Sequence, residues 1–145
     1  MPVVRDLLAR KGSDVVSLPP TASVLAAAQL MNERHIGAIV VLESGLLVGI
    51  FTERDVLRRV VATGEPPTET LLSTVMTTSL VTCSVEAKLE DCASIMTTRR
   101  VRHMPVVDDN GTVVGLLSIG DVVAQRVWEQ EHEIEALSRY IFDIR

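Results

Sequence analysis

Aromatic side chains are scarce in this 145-residue sequence, where two Phe, one Trp and one Tyr make up 3% of the chain. Single-stranded nucleic acid would find almost no stacking platform. Cations are also in the minority, with 14 Lys and Arg against 19 Asp and Glu and a net charge of −5, so nucleic-acid phosphates are not the expected partner. Cys83 and Cys92 are the only cysteines and form no C-x-x-C pair; they read as buried thiols, not as a disulfide on which folding depends. No apolar run approaches the ~18 residues of a membrane span, and Met1–Asp6 lacks the apolar stretch of a signal peptide, so the expectation is a cytoplasmic protein without membrane contact. His35, His103 and His132 are too scattered for metal-ligand spacing, and neither cysteine has an evident base beside it. The sequence therefore predicts no metal site, no catalytic cofactor and no enzyme.

What is present is a repeat. Val16 matches Val81, Ala22 matches Ala87, Ala28 matches Ala93, Met31 matches Met96 and Val41 matches Val106, all offset by 65. Beyond the turn the offset is 66, and Gly49 meets Gly115, Asp55 meets Asp121 and Val56 meets Val122. Val24, Ala27, Ala28 and Met31 lie at i, i+3, i+4, i+7, as do Leu89, Cys92, Ala93 and Met96, so each copy has a helix with an apolar face. Ala38–Leu42 with Leu46–Phe51, and Met104–Val107 with Val113–Leu117, are Val-rich runs joined by Gly-containing turns, which predicts a hairpin in each copy. Short strands at Val15–Leu18 and Leu80–Cys83 open the copies, and a second helix follows each hairpin, from about Arg54 to Ala62 and from about Gly120 onward. The fold expected is α/β of the α+β kind, strand, helix, strand, strand, helix, twice.

Val3–Leu8 and Leu71–Met76 read as matching lead-in segments, with Lys11-Gly12-Ser13 added to the first. Residues 63–68 carry the Gly and Pro of a linker. This divides the chain into 1–66, 67–127 and a helical extension over 128–145. In the last helix Val123, Val127, Ile134, Leu137, Ile141 and Ile144 approximate an a/d seam, which folds back on its own module, meets another subunit with Trp128 and Tyr140 as anchors, or docks on an effector.

The duplicated segment with most chemistry is Gly49–Asp55, which returns as Gly115–Asp121. Each places a hydroxyl and a carboxylate, Thr52 with Asp55 and Ser118 with Asp121, where a strand passes into a helix. Such residues cap a helix by satisfying its free N–H groups. The same carboxylate can accept hydrogen bonds from both ribose hydroxyls of a nucleotide. Arg99, Arg100, Arg102 and His103 form the one basic cluster, divided between phosphate binding and a solvated, dipole-complementing helix end.

Together, the two hydrophobic-x-[Thr/Ser]-x-x-Asp junctions, the Met-Pro-Val-Val-Asp of residues 104–108 and the repeat order resemble the CBS-domain pair, or Bateman module, over nearly the whole chain. The resemblance implies tandem repeats packed through their sheets as a pseudo-twofold pair, with two clefts for adenosine-containing ligands such as AMP, ATP or NAD(H). It also implies a stand-alone regulatory type without an attached enzyme. Each cleft would combine the hydroxyl-x-x-Asp of one repeat with the segment before the second strand of the other. Cleft 1 then comprises Ile50, Thr52, Arg54, Asp55, Val101, Arg102, His103 and Met104, and cleft 2 comprises Ile36, Gly37, Ala38, Leu116, Ser118 and Asp121. Ile50 and Leu116 would line the adenine. Cleft 2 has no cation at the position matching Arg102, so cleft 1 is expected to be the better phosphate site.

Two functions follow as expectations. One is a sensor whose nucleotide occupancy changes the angle between repeats or subunits and is passed to an effector protein, with a homodimer as the assembly. The other is a constitutive interaction or dimerisation module whose clefts are vestigial caps.

Overall fold

The computed structural model describes residues 2–143, the side chains of Tyr140, Phe142 and Asp143 excepted; Ile144 of the expected seam lies outside them. Helix α1 is Val4–Lys11, followed by strand β1 (Ser17–Leu18), helix α2 (Val24–Arg34) and strands β2 (Ala38–Glu43) and β3 (Leu46–Thr52). Next comes a helix, α3, whose first turn Glu53–Asp55 is α-helical and whose remainder Val56–Val61 has widened to π geometry. The second half contains α4 (Leu72–Val75), α5 (Leu89–Arg99), β4 (His103–Val107), β5 (Val113–Ser118) and α6 (Ile119–Asp143). The repeat order expected from the sequence is present in both halves, with one strand reduced and one helix widened.

In the first half β1 pairs in parallel with β2, and β2 pairs antiparallel with β3 in a register that sets Val40 opposite Ile50. In the second half β4 and β5 pair antiparallel with His103 opposite Ser118, but the strand expected at Leu80–Cys83 shrinks to a single bridge between Cys83 and Val106. Pro105 is the reason. In the first half the Val40 N–H donates to the Val16 carbonyl at 3.1 Å; at the matching place Pro105 has no N–H for Val81. Only the bonds flanking it survive, from the Cys83 N–H to the Pro105 carbonyl and from the Val107 N–H to the Cys83 carbonyl. On the first-half helix α3, the π geometry shows in the bond from the Ala62 N–H to the Leu57 carbonyl at 2.9 Å, five residues apart.

The two cores do not follow the chain order. Val4, Leu7 and Leu8 of α1 are buried among Leu89, Cys92, Met96, Met104 and Leu117 of the second half. Leu72 and Val75 of α4 are buried among Val24, Met31, Ile39, Phe51 and Val60 of the first half. Matched backbone bonds fix the exchange: Val4 N–H to the Ala87 carbonyl and Leu72 N–H to the Ala22 carbonyl, both 2.9 Å. A second matched pair runs from Leu89 N–H to the Pro2 carbonyl and from Val24 N–H to the Thr70 carbonyl. Gly49 and Gly115 make room for this packing, because a Cβ would fall 2.5 Å from the Met76 sulfur in the first case and 2.9 Å from Leu8 methyl carbons in the second.

Among the described residues, helix α6 is anchored at its start only. Val122 and Gln125 are buried, Arg10 Nη1 donates to Gln125 Oε1 at 2.7 Å, and the Arg10 guanidinium lies 4.2 Å from the centroid of the Trp128 ring. Trp128 thus anchors α6 to α1 of the same chain. Val123, Val127, Ile134, Leu137 and Ile141 are exposed, so the seam does not fold back on the module.

Leu7→Ala and Leu72→Ala each remove a side chain that one half lends to the other, and each is expected to lower the unfolding free energy by about 2–5 kcal/mol. Urea denaturation followed by circular dichroism should show one cooperative transition in both variants. Two separated transitions would contradict the exchanged packing.

Candidate functional site

The junction after β3 folds as a capping box. Thr52 Oγ1 accepts from the Asp55 N–H at 3.2 Å while Asp55 Oδ2 accepts from the Thr52 N–H at 3.0 Å. The Asp55 carboxylate is buried, accepts from the Thr77 hydroxyl at 3.1 Å and pairs with Arg59 at 3.5 Å. The reciprocal pair of bonds between Thr52 and Asp55 realises the capping role in full. Beside it opens a cavity of about 610 Å³ that takes in Ile50, Thr52, Arg54, Asp55, Val101, Arg102 and His103, the sequence's cleft 1 with one exception.

The exception is Met104, which is fully buried in the second core. Strand alternation explains the correction: His103 stands opposite Ser118 at the cleft, so the next residue, opposite Leu117, points to the other face and into the core.

The cavity also holds residues not foreseen for it, Arg58, Arg59, Thr77 and Glu53, together with Arg100 from the basic cluster. Arg54, Arg58, Arg59, Arg100 and Arg102 place five guanidiniums against two carboxylates, Glu53 and Asp55. Helical spacing from Arg54 could have pointed to Arg58. Nothing local points to Thr77. Arg54 Nη1 donates to the Arg100 carbonyl at 3.3 Å and so ties the junction of one half to the helix end of the other. Arg100 (φ 56°) and its repeat equivalent His35 (φ 54°) both end their helices in the left-handed conformation, which costs a branched-free but non-glycine residue about 1 kcal/mol. That turn presents the segments leading into β4 and β2 to the clefts.

All six residues expected in cleft 2 line a second cavity of about 340 Å³: Ile36, Gly37, Ala38, Leu116, Ser118 and Asp121. The facing segment Ile36–Ala38 is uncharged, but a cation not foreseen for this cleft reaches it from elsewhere. Lys11, at the end of α1, donates its ammonium to Asp121 and, at 2.8 Å, to the Leu116 carbonyl. The cation comes from the lead-in helix, 110 residues away in sequence, and not from the position matching Arg102. It replaces Thr77 point for point: in cleft 1 Thr77 gives its N–H to the Ile50 carbonyl at 2.8 Å and its hydroxyl to Asp55. His103 and Gly37 line both cavities, so a single wall separates them. His35 and Asp14 also line the second.

Partial burial works to raise the Asp121 pKa, but the hydrogen bonds from Lys11 and at Ser118 outweigh it and hold the carboxyl below its ordinary 3.8. Burial holds His103 below its ordinary 6.5; Asp121 and Glu53 pull it upward, while Lys11 and Arg102 add to the lowering. His103 is therefore a neutral donor or acceptor at pH 7. The structure brings the two cysteines together, Cys92 buried and Cys83 partly buried, and the Cys83 thiol is pushed up by its hydrogen bond with Cys92 and by burial. Among the described residues no three His, Cys, Asp or Glu side chains group closely enough to hold a metal ion, and no helix is long and apolar enough to cross a membrane.

Duplicated strand and helix units with hydroxyl-x-x-Asp junctions facing two clefts define a tandem pair of CBS domains. The chain belongs to the CBS domain family, which it matches twice, over residues 4–62 and 72–127. It is 38% identical over 124 residues to the mitochondrial CBS domain-containing protein CBSX3 of Arabidopsis thaliana, across 82% of this chain and 60% of that protein, and so spans less than two thirds of this relative's length. Among solved structures it is similar to a CBS-domain containing protein of Agrobacterium tumefaciens, with 41% identity, a TM-score of 0.81 and coverage of 86% of this chain and 99% of that one. It is also similar to a CBS domain protein of Pyrobaculum aerophilum solved in complex with AMP, with 28% identity, a TM-score of 0.75 and coverage of 83% and 89%.

The depressed Asp121 pKa contributes stability that is complete above the ordinary carboxylate value and is lost as pH falls through the lower folded value. Lys11→Met removes the main cause of that depression. The stability difference between wild type and Lys11→Met, measured by denaturant unfolding, should be constant from neutral pH to about pH 5 and shrink below about pH 4. A difference independent of pH would dissociate Lys11 from Asp121.

Proposed function

We propose that this protein is a regulatory module, not a catalyst, and that it binds an adenine nucleotide of the AMP, ATP or NAD(H) kind in cleft 1 and passes its occupancy to a protein partner. The observation that carries this is the convergence, in one cavity, of the Thr52–Asp55 junction of one repeat with Arg100, Arg102 and His103 of the other. Ile50 and Val101 offer apolar surface for the base. Asp55 takes the ribose hydroxyls by exchanging its bond with Thr77. The arginines and the Thr52 hydroxyl take the phosphates, and their positive excess favours a ligand carrying more than one. The AMP complex of the Pyrobaculum aerophilum relative supports an adenosine-type ligand.

Cleft 2 is the weaker site, because its carboxylate holds an ammonium and no arginine stands among its lining residues. A ribose reaches Asp121 only after Lys11 has moved away. A ligand spanning cleft 1 bonds both repeats at once, so it favours the arrangement in which they stand closest and shifts the population accordingly. The partners in this reading are a second copy of the chain and an effector protein.

The competing reading, a constitutive interaction module with vestigial clefts, is favoured by one observation: Asp55 and Asp121 are each already hydrogen-bonded by their own chain. Calorimetry with AMP, ATP, NAD and S-adenosylmethionine, together with mass spectrometry of small molecules released from the purified protein, separates the two. ATP is expected to bind, and Arg102→Ala to weaken it about tenfold or more while changing adenosine binding less. Absence of heat and of any released nucleotide would leave the interaction module. Lys11→Met is expected to add a second binding event in the same titration; an unchanged stoichiometry would contradict the role given to Lys11.

A further inference from the structure

Among the described residues, the outer part of α6 has no support from its own chain. From Gln130 to Arg139 every residue is exposed, and the apolar side chains Ile134, Leu137 and Ile141 are 66%, 55% and 64% accessible. A helical stretch of this length is marginal in water unless an apolar face is covered. Its seam continues without a break onto the anchored part of the helix. Val123, Val127, Gln130, Ile134, Leu137 and Ile141 follow one another at spacings of four and three, and Val123 and Val127 are also exposed. This is a heptad register over about 27 Å of helix, with Gln130 as its single polar core position.

We infer that α6 pairs with α6 of a second copy as a parallel, in-register, two-stranded coiled coil. The inference rests on the reading that the chain is a homodimer, and it specifies the surface and the orientation. Charge decides the orientation. In a parallel pair, Arg126, just before Val127, faces Glu131 of the other strand, just after Gln130, and the contact occurs twice by symmetry. Arg126 has no ion pair within its own chain among the described residues. The antiparallel register that covers the same seam sets Glu131 against its own copy and Glu133 against its own copy, two like-charge contacts. Only the parallel arrangement brings Gln130 to Gln130, where the two amides satisfy each other; the antiparallel one buries each against Ile134.

Analytical ultracentrifugation of the full chain over a range of concentrations tests this. Wild type is expected to be a dimer and the Ile134→Glu/Leu137→Glu variant a monomer, with the thermal unfolding of the body unchanged because both residues lie beyond it. Arg126→Glu and Glu131→Arg should each weaken the dimer about tenfold, and the combined variant should recover wild-type affinity. A combined variant no tighter than the single ones overturns the parallel orientation. A dimer that survives the Ile134→Glu/Leu137→Glu change overturns the inference and moves the contact to the other exposed apolar pair, Leu57 and Val61 on α3, while leaving the homodimer intact. A wild-type monomer at every concentration overturns both.

Discussion

The exchange of lead-in helices is the constraint on which the rest of the molecule depends. Neither half can close its core alone, because the first lacks Leu72 and Val75 and the second lacks Val4, Leu7 and Leu8 until the other supplies them. Each sheet has a glycine at the point of contact, and the two glycines of the duplicated segment are explained by packing before any ligand is considered. Because the lead-in helices are fixed by matched backbone bonds, the residues at or just past their ends are fixed too, and Lys11 and Thr77 among them reach the clefts.

The clefts diverge through those ends. Helix α4 stops at Val75 and the chain becomes extended, so that Thr77 meets Ile50 edge to edge and offers Asp55 a neutral hydroxyl. Helix α1 continues to Lys11, and a flexible ammonium spans the same two acceptors in the other half. One carboxylate therefore stands in an arginine-rich cavity with a hydroxyl and the Arg59 guanidinium for partners, and the other is held by a single ammonium from the lead-in helix. Two copies of one motif acquired different electrostatics both within the motif, where Glu53-Arg54 is matched by Ile119-Gly120, and through the partner that reaches its carboxylate.

Much of this was legible in the sequence, and the parts that were not share a cause. Helices, hairpins and the two junctions follow from local periodicity and turn chemistry, and the cleft residues follow from the family pattern, since all but Met104 reach the expected cavities. Met104 could have been excluded by alternation along β4, and the loss of the strand at Leu80–Cys83 by the missing N–H of Pro105. Lys11 and Thr77 act on residues far along the chain through an exchange of helices that leaves no local signal. The same holds for Trp128, whose ring is covered by Arg10 of the opposite end of the chain.

The matched bonds between the halves have the form of an isologous contact, in which residue i of one unit meets residue j of the other and the reverse. Val4 with Ala87 and Leu72 with Ala22 are such a pair. Residues 63–68 therefore act as a tether between two units that embrace like the subunits of a dimer, and the tether replaces concentration by proximity. Association of the halves is then insensitive to how much protein is present, and each half is free to change its cleft without having to match a copy of itself.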